Sequence, residues 1–228
     1  MKLLKIEPIL TGDQVKSLEG TYFTKDLIKY HITEDTKILN ENGDILAVFK
    51  KNAVPSNILN NCRNSFRKAA TESNNRGLAS GLISQKYKVG DKIGNRVIGK
   101  INGTRYTPIN IKDGKLSNTS YALTVKSGVI GYSDRYPRIP YCRRTMFNQR
   151  NLQDYQKCLP YIKCVDEFFK QYAPARYNIQ KKMAEKSSQD FVIKDTAFTT
   201  VTVNKNFRTA GHYDNGDLKE GFGNLGVI

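Results

Sequence analysis

Three features of the chain predict an α+β fold. The run AFTTVTV at 197–203 is β-branched and alternating, which is strand patterning. The stretch 152–172 repeats apolar residues at three- and four-residue spacing (Leu152, Tyr155, Leu159, Ile162, Val165, Phe169), which is helix patterning. Near the N-terminus, KILN and DILAVF flank Asn42-Gly43, a dipeptide that favours a two-residue type I′ hairpin turn. With 228 residues, the chain is long enough to bury a core without disulfides.

The remaining elements follow in order. Residues 56–70 predict a helix through Ile58, Leu59, Cys62 and Phe66. TESNNRGLASG at 71–81 is polar and glycine-containing, and reads as a loop. RVIG and the run from Tyr106 to Ile111 predict a second hairpin about Asn102-Gly103. Residues 126–150 hold Gly128, Gly131, Pro137, Pro140 and five arginines, and read as a long irregular segment. Pro160 marks either a kink or the first turn of a second helix, and Pro174 opens another. Phe191-Val-Ile predicts a short strand before 197–203.

Lys and Arg total 37 and Asp and Glu 21, a formal charge of +16. The excess sits in the middle: 13 basic against 3 acidic residues in 51–125, and 12 against 4 in 126–182. Both ends are near neutral. A basic band of this size favours a polyanionic partner, nucleic acid above all. There are only two histidines, His31 and His212, which excludes a His-only zinc centre. Cys62, Cys142, Cys158 and Cys164 make no C-x-x-C pair and read as reduced, mostly buried thiols. The start MKLLKIEPIL is too short an apolar run for a signal peptide, and no stretch approaches the ~18 apolar residues of a membrane span. A cytoplasmic protein with no membrane partner is the expectation.

His212 and Asp214 are two apart in FRTAGHYDNGDLKEGFGNL, residues 207–225. On a strand, residues i and i+2 share a face, so one imidazole and one carboxylate would converge. That is the local half of a 2-His-1-carboxylate triad, which holds Fe(II) and leaves positions open. Alone, H-x-D is more often a surface His near a turn Asp.

The surrounding stretch DTAFTTVTVNKNFRTAGHYDNGDLKEGFGNL, 195–225, resembles the core motif of the 2-oxoglutarate- and Fe(II)-dependent oxygenases of the TET and base J-binding protein group, which includes phage and viral members. NRGLASG at 75–81, SGVIGYSD at 127–134 and CRRTMFNQ at 142–149 are similar to that group too. The resemblance covers residues 71–228, with 1–70 an N-terminal extension outside it, the whole read as one oxygenase-type domain.

The resemblance implies a double-stranded β-helix, a jelly-roll-like, cupin-type core backed by helices. It implies His212 and Asp214 as Fe(II) ligands, 2-oxoglutarate as co-substrate, and hydroxylation of the 5-methyl group of thymine or 5-methylcytosine in DNA, with the target nucleotide extruded. Arg208 and Arg76 become candidates for the co-substrate carboxylate. Asp217 becomes a candidate for a base edge, or else a turn residue. Arg135, Arg138, Arg143 and Arg144 become candidates for phosphate contact, with Tyr132 and Tyr136 as stacking rings. In a phage the setting would be the host-cell cytoplasm.

The family pattern continues with a second His and then an Arg, whereas this chain has fourteen residues after Asp214. His31 lies in the wrong chain order and reads as a bystander. The barrel is therefore expected to be C-terminally incomplete. A fragment, a split gene whose second polypeptide completes the barrel, and a catalytically inactive DNA-binding or accessory protein all stay open. Hydroxylation of protein side chains is a further use of the same fold.

Overall fold

The computed structural model describes residues 1–101, 105–116, 123–135, 139–214 and 217–228. The chain runs β1 (Lys2–Lys5), α1 (Gly12–Ser17), β2 (Thr36–Leu39), β3 (Ile45–Phe49), α2 (Ser56–Ala69), β4 (Thr71–Ser73), β5 (Lys92–Ile93), β6 (Arg96–Ile101), β7 (Arg105–Asn110), β8 (Val125–Arg135), β9 (Ile139–Arg144), α3 (Met146–Arg150), α4 (Leu152–Tyr172), α5 (Pro174–Glu185) and β10 (Thr200–Lys205). This is the α+β class. Among the described residues the strands form three separate sheets: β1-β2-β3, β5-β6-β7, and a third in which β8 lies between β10 and β4 and also pairs with β9.

Both expected hairpins form, with one difference at the first turn. Gly43 takes φ +87°, but Asn42 does not have positive φ, so the turn is not type I′. The Gly43 amide donates to the Asn40 carbonyl and the Asn40 amide to the Asp44 carbonyl. A longer loop ending in a left-handed glycine results, and the register shifts between Ile38 and Leu39. The cause is Asn40: its side chain accepts from the Asp44 amide at 2.8 Å and donates to the Asp44 carboxylate at 2.9 Å, which favours the wider turn. The second hairpin, β6–β7, is in register from Arg96–Asn110 to Ile101–Arg105. The Asn102-Gly103 turn lies outside the described residues.

The largest departure from the sequence reading is 126–150, which is not an irregular loop. It contains β8, an eleven-residue strand central to its sheet, followed by β9 and α3. The glycines that read as breakers are close-approach positions. A Cβ on Gly128 would lie 1.9 Å from the Ala69 carbonyl oxygen, where the end of α2 meets the sheet. A Cβ on Gly131 would lie 2.6 Å from the Thr199 carbonyl oxygen. The loop reading of 71–81 changes less: β4 covers its start, and Gly77–Ser80 form a 3-10 turn.

Helix α4 runs unbroken through Pro160, which sits on its exposed side, where water can take the carbonyl left without an amide donor. Pro174 occupies the first turn of α5, the position where its missing N–H costs least. Residues 191–193 form no strand, because a 3-10 turn over Gln189–Phe191 precedes them, but Ile193 is fully buried.

The core lies between α2, α4 and β8. Cys62, Phe66, Ile130, Cys158, Ile162 and Ile193 pack together, and Phe66 meets Tyr161 edge-on at 5.1 Å between ring centres. Each such apolar side chain contributes about 1.5–3 kcal/mol by leaving water. At the rim of this contact, Asp154 of α4 accepts from Ser65 at 2.9 Å and pairs with Lys68 at 2.7 Å. These bonds, that from Lys68 foremost, hold its carboxyl below the usual range. Burial pushes the Cys158 thiol up to about 12, so it is an inert core group. None of the four cysteines forms a disulfide.

A second cluster joins α4 and α5 to the approach of β10. Asp166, buried, accepts from the Ala197 amide at 2.7 Å and from the Tyr177 hydroxyl at 3.1 Å. Phe222 from the C-terminal segment stacks near Phe169 at 6.5 Å, and Arg176 lies over its other face. No described helix is long and apolar enough to cross a membrane.

Substituting Gly128→Ala is expected to cost about 3 kcal/mol, the upper end for overpacking, because the obstacle is backbone. Urea denaturation checks this, with Gly90→Ala as a control. Gly90 has open space around it, so any loss there reflects its φ of +93° alone.

Candidate active site

Strand β10 ends at Lys205, and Asn206 turns the chain with φ +51°. The H-x-D segment is not on a strand. Among the described residues, 207–214 have no ladder partner. The shared-face argument for His212 and Asp214 therefore fails, yet the two side chains still meet. His212 Nε2 stands 3.5 Å from Asp214 Oδ1.

Backbone hydrogen bonds to two distant loops take the place of a ladder. The Ala210 amide donates to the Ala79 carbonyl at 2.9 Å. The Gly211 amide donates to Thr21 at 3.0 Å, and the Gly211 carbonyl accepts from Gly20 at 2.7 Å. The Leu82 amide closes the set by donating to Gly20 at 3.0 Å. Gly211 is required by proximity: a Cβ there would lie 3.0 Å from two atoms of the Phe23 ring and 3.3 Å from the Leu18 carbonyl oxygen.

The imidazole is set by a second bond. His212 Nδ1 lies 2.8 Å from the Ala210 carbonyl oxygen. A carbonyl only accepts, so Nδ1 carries a proton, and in the neutral imidazole the lone pair is then on Nε2, facing Asp214. This is the arrangement of a metal-binding histidine, with the outer nitrogen anchored to backbone. His212 is mostly covered, while the Asp214 side chain is 60 % exposed. Ligands of a divalent ion stand about 2.0–2.2 Å from it, so a nitrogen and an oxygen 3.5 Å apart can share one. Among the described residues, no group of three His, Cys, Asp or Glu side chains gathers for a metal. His31 is exposed.

The other candidates divide. Arg76 opens the 3-10 turn that carries Ala79, and its Nε is buried with no hydrogen-bond partner among the described residues. Arg208 is already engaged: its guanidinium donates to the Phe23 carbonyl and lies over the Tyr22 ring at 5.4 Å. Tyr22 in turn donates to the Ser80 carbonyl at 2.9 Å. Asp217 is at the surface, in a turn where its amide donates to the Asp214 carbonyl at 3.3 Å. Nearby atoms that desolvate it, and the charge of Asp214, raise its carboxyl above the ordinary range.

Arg135 ends β8, and its backbone pairs with Ile139. Arg143 and Arg144 are consecutive on β9, so they face opposite sides of the hairpin. Arg138 and Tyr136 lie outside the described residues. Tyr132 is half-buried against the core and meets Phe191 edge-on at 5.8 Å, so internal packing takes its ring.

Sequence reading missed the N-terminal wall. Val15, Glu19 and Phe23 join Ala210, Gly211, His212 and Tyr213 around a cleft of about 220 Å³. The available signal was the capping box Thr11-x-x-Gln14, which places α1 just before Leu18–Phe23.

A backbone-anchored imidazole facing a carboxylate, beside an open cleft, defines the site as a candidate mononuclear metal centre. Residues 128–228 match the Tet/JBP family, described as the oxygenase domain of the 2OGFeDO superfamily. That superfamily match implies Fe(II) and 2-oxoglutarate as cofactors.

The chain is 28 % identical over 223 residues, 96 % of its length, to a bifunctional helicase and thymine dioxygenase JBP2 of Leishmania tarentolae. It is 35 % identical over 123 residues (53 % of its length) to the JBP2 of Leishmania major, and 34 % identical over 125 residues (also 53 %) to a thymine dioxygenase JBP1-B of Trypanosoma cruzi. It spans 16 %, 11 % and 14 % of the lengths of these three relatives. No solved structure matches.

His212→Ala and Asp214→Ala are each expected to weaken Mn(II) or Fe(II) binding more than the roughly 10–100-fold that follows loss of a supporting hydrogen bond. Calorimetric titration measures this. Unchanged affinity in both variants would place the metal elsewhere.

Proposed function

We propose that the chain carries a thymine-hydroxylating activity on DNA, dependent on Fe(II) and 2-oxoglutarate, within a double-stranded β-helix architecture. One observation carries the reading: in the family-matched region, His212 Nε2 faces Asp214 at 3.5 Å with its tautomer set by Ala210. Relatives named as thymine dioxygenases favour thymine over 5-methylcytosine.

Bound Fe(II) with 2-oxoglutarate supplies the oxidising chemistry that turns a methyl C–H into C–OH. The chain's own residues do the rest. His212 offers the Nε2 lone pair, and Asp214 offers an anionic oxygen that offsets the ion's charge. The Ala210 carbonyl keeps the imidazole in the ligating tautomer. Arg76, with a buried and unpartnered Nε, is the candidate to pair with a carboxylate of 2-oxoglutarate, since a buried charged donor without a partner favours an anion. Arg208 acts as a strut that holds Phe23 and Tyr22 beside the site. Arg143 and Arg144 on the β8–β9 hairpin belong to the basic band, which would neutralise DNA phosphates.

The test incubates the 228-residue chain with Fe(II), 2-oxoglutarate and thymine-containing DNA, then digests the DNA and measures 5-hydroxymethyluracil nucleoside by mass spectrometry. Product from the wild-type chain and none from His212→Ala is expected, with yield falling steeply as salt rises. Absence of product from the wild-type chain at low salt, with metal and co-substrate bound, would contradict the proposal.

A further inference from the structure

The cleft beside His212 has two walls of different origin. One is the site segment itself, Ala210 to Tyr213. The other is α1 and the turn after it, through Val15, Glu19 and Phe23. Among the described residues its lining carries one carboxylate, Glu19, and no Lys or Arg. Apart from the ion that His212 would hold, a dicarboxylate such as 2-oxoglutarate would meet the like charge of Glu19 there and find no guanidinium or ammonium, whereas Arg76, with its unpartnered Nε, stands outside this lining. The cleft therefore suits a neutral ligand that offers a hydrogen-bond donor and an apolar face.

Its aromatic residues fit that description. Phe23 is 42 % exposed and Tyr213 58 %, both unusually open for rings beside a covered histidine. Phe23 is not loosely placed. Its carbonyl takes the Arg208 guanidinium, and its ring lies so close to Gly211 that a Cβ there would stand 3.0 Å away. A ring fixed on one side and open on the other is a stacking platform. At about 220 Å³ the cleft is smaller than the ~300 Å³ at which pockets for drug-sized ligands begin, which suits a single base.

We infer that this cleft receives the extruded pyrimidine, with Phe23 as its stacking platform and Glu19 as the acceptor for the thymine N3–H. The inference rests on the proposed function and deepens it. Thymine offers N3–H as a donor on its pairing edge, and a carboxylate only accepts, so the two are complementary. The N-terminal segment is then part of substrate recognition, and Arg76, outside the cleft, would remain the candidate to hold the co-substrate.

The test uses the full 228-residue chain with Mn(II). Fluorescence anisotropy compares two labelled single-stranded oligodeoxynucleotides, identical except that one carries thymine and the other N3-methylthymine at a single central position. Calorimetry measures 2-oxoglutarate binding to the same protein. Wild type is expected to prefer thymine about tenfold, the scale of one hydrogen bond to a charged group. Glu19→Ala is expected to lose that preference. Phe23→Leu, which keeps apolar bulk and loses the ring face, is expected to weaken both oligonucleotides about tenfold. Both variants should bind 2-oxoglutarate within twofold of wild type.

Variants that discriminate as wild type does would overturn the inference and leave the proposed function standing. So would variants that lose 2-oxoglutarate while keeping oligonucleotide affinity, because the cleft would then belong to the co-substrate. A wild-type chain that binds no 2-oxoglutarate with Mn(II) would overturn the proposed function, and this inference with it.

Discussion

The site depends on one constraint: Ala210 and Gly211 have no strand to lie in, so their backbone must be held from outside. The Ala79, Thr21 and Gly20 backbone groups supply that hold. Each of these bonds contributes only about 0.5–1.5 kcal/mol net. Their effect is geometric. They fix the chain immediately before His212, and the Ala210 carbonyl, positioned by the same bonds, sets the imidazole. Without the Gly20–Gly211 pairing, His212 and Asp214 would be two residues of a free loop.

Support for this arrangement reaches back to the core. Strand β10 delivers the chain to the site and is held along β8 over six register positions. Its approach is tied to α4 through Asp166, whose carboxylate takes the Ala197 amide. The sheet in turn sits against α2 because Gly128 admits the Ala69 carbonyl. A helix pair, a glycine-relieved strand and a buried carboxylate thus form the frame, and the site hangs from its edge. Tight packing ends where function begins: Ile130 and Cys158 are fully buried, while Asp214 and Tyr213 are open.

Local patterns were legible in the sequence where local physics decides. Helices α2, α4 and α5 follow from apolar spacing and Pro174, and β10 from β-branching. The His212–Asp214 pair was legible as a motif, although its geometry arises differently. What the chain did not disclose depends on tertiary contact. Gly128 and Gly131 look like breakers in a sequence, and only the neighbouring Ala69 and Thr199 carbonyls show why a strand needs them. Asn42-Gly43 suggested the tightest turn, but the Asn40 side chain selected a wider one. Phe23 and Glu19 lie some 190 residues from His212 in the chain, so no local pattern links them.

The central claim is that the N-terminal turn is bonded to the H-x-D segment and walls the metal site that His212 and Asp214 form. Paramagnetic broadening tests it directly. Mn(II) is titrated into the ¹⁵N-labelled chain while backbone amide resonances are followed by NMR. The account predicts that amides of 18–23 and 79–82 broaden together with those of 208–214, at the same metal concentration, and that Asp214→Ala removes all three effects. Broadening of 208–214 that leaves 18–23 sharp would contradict it.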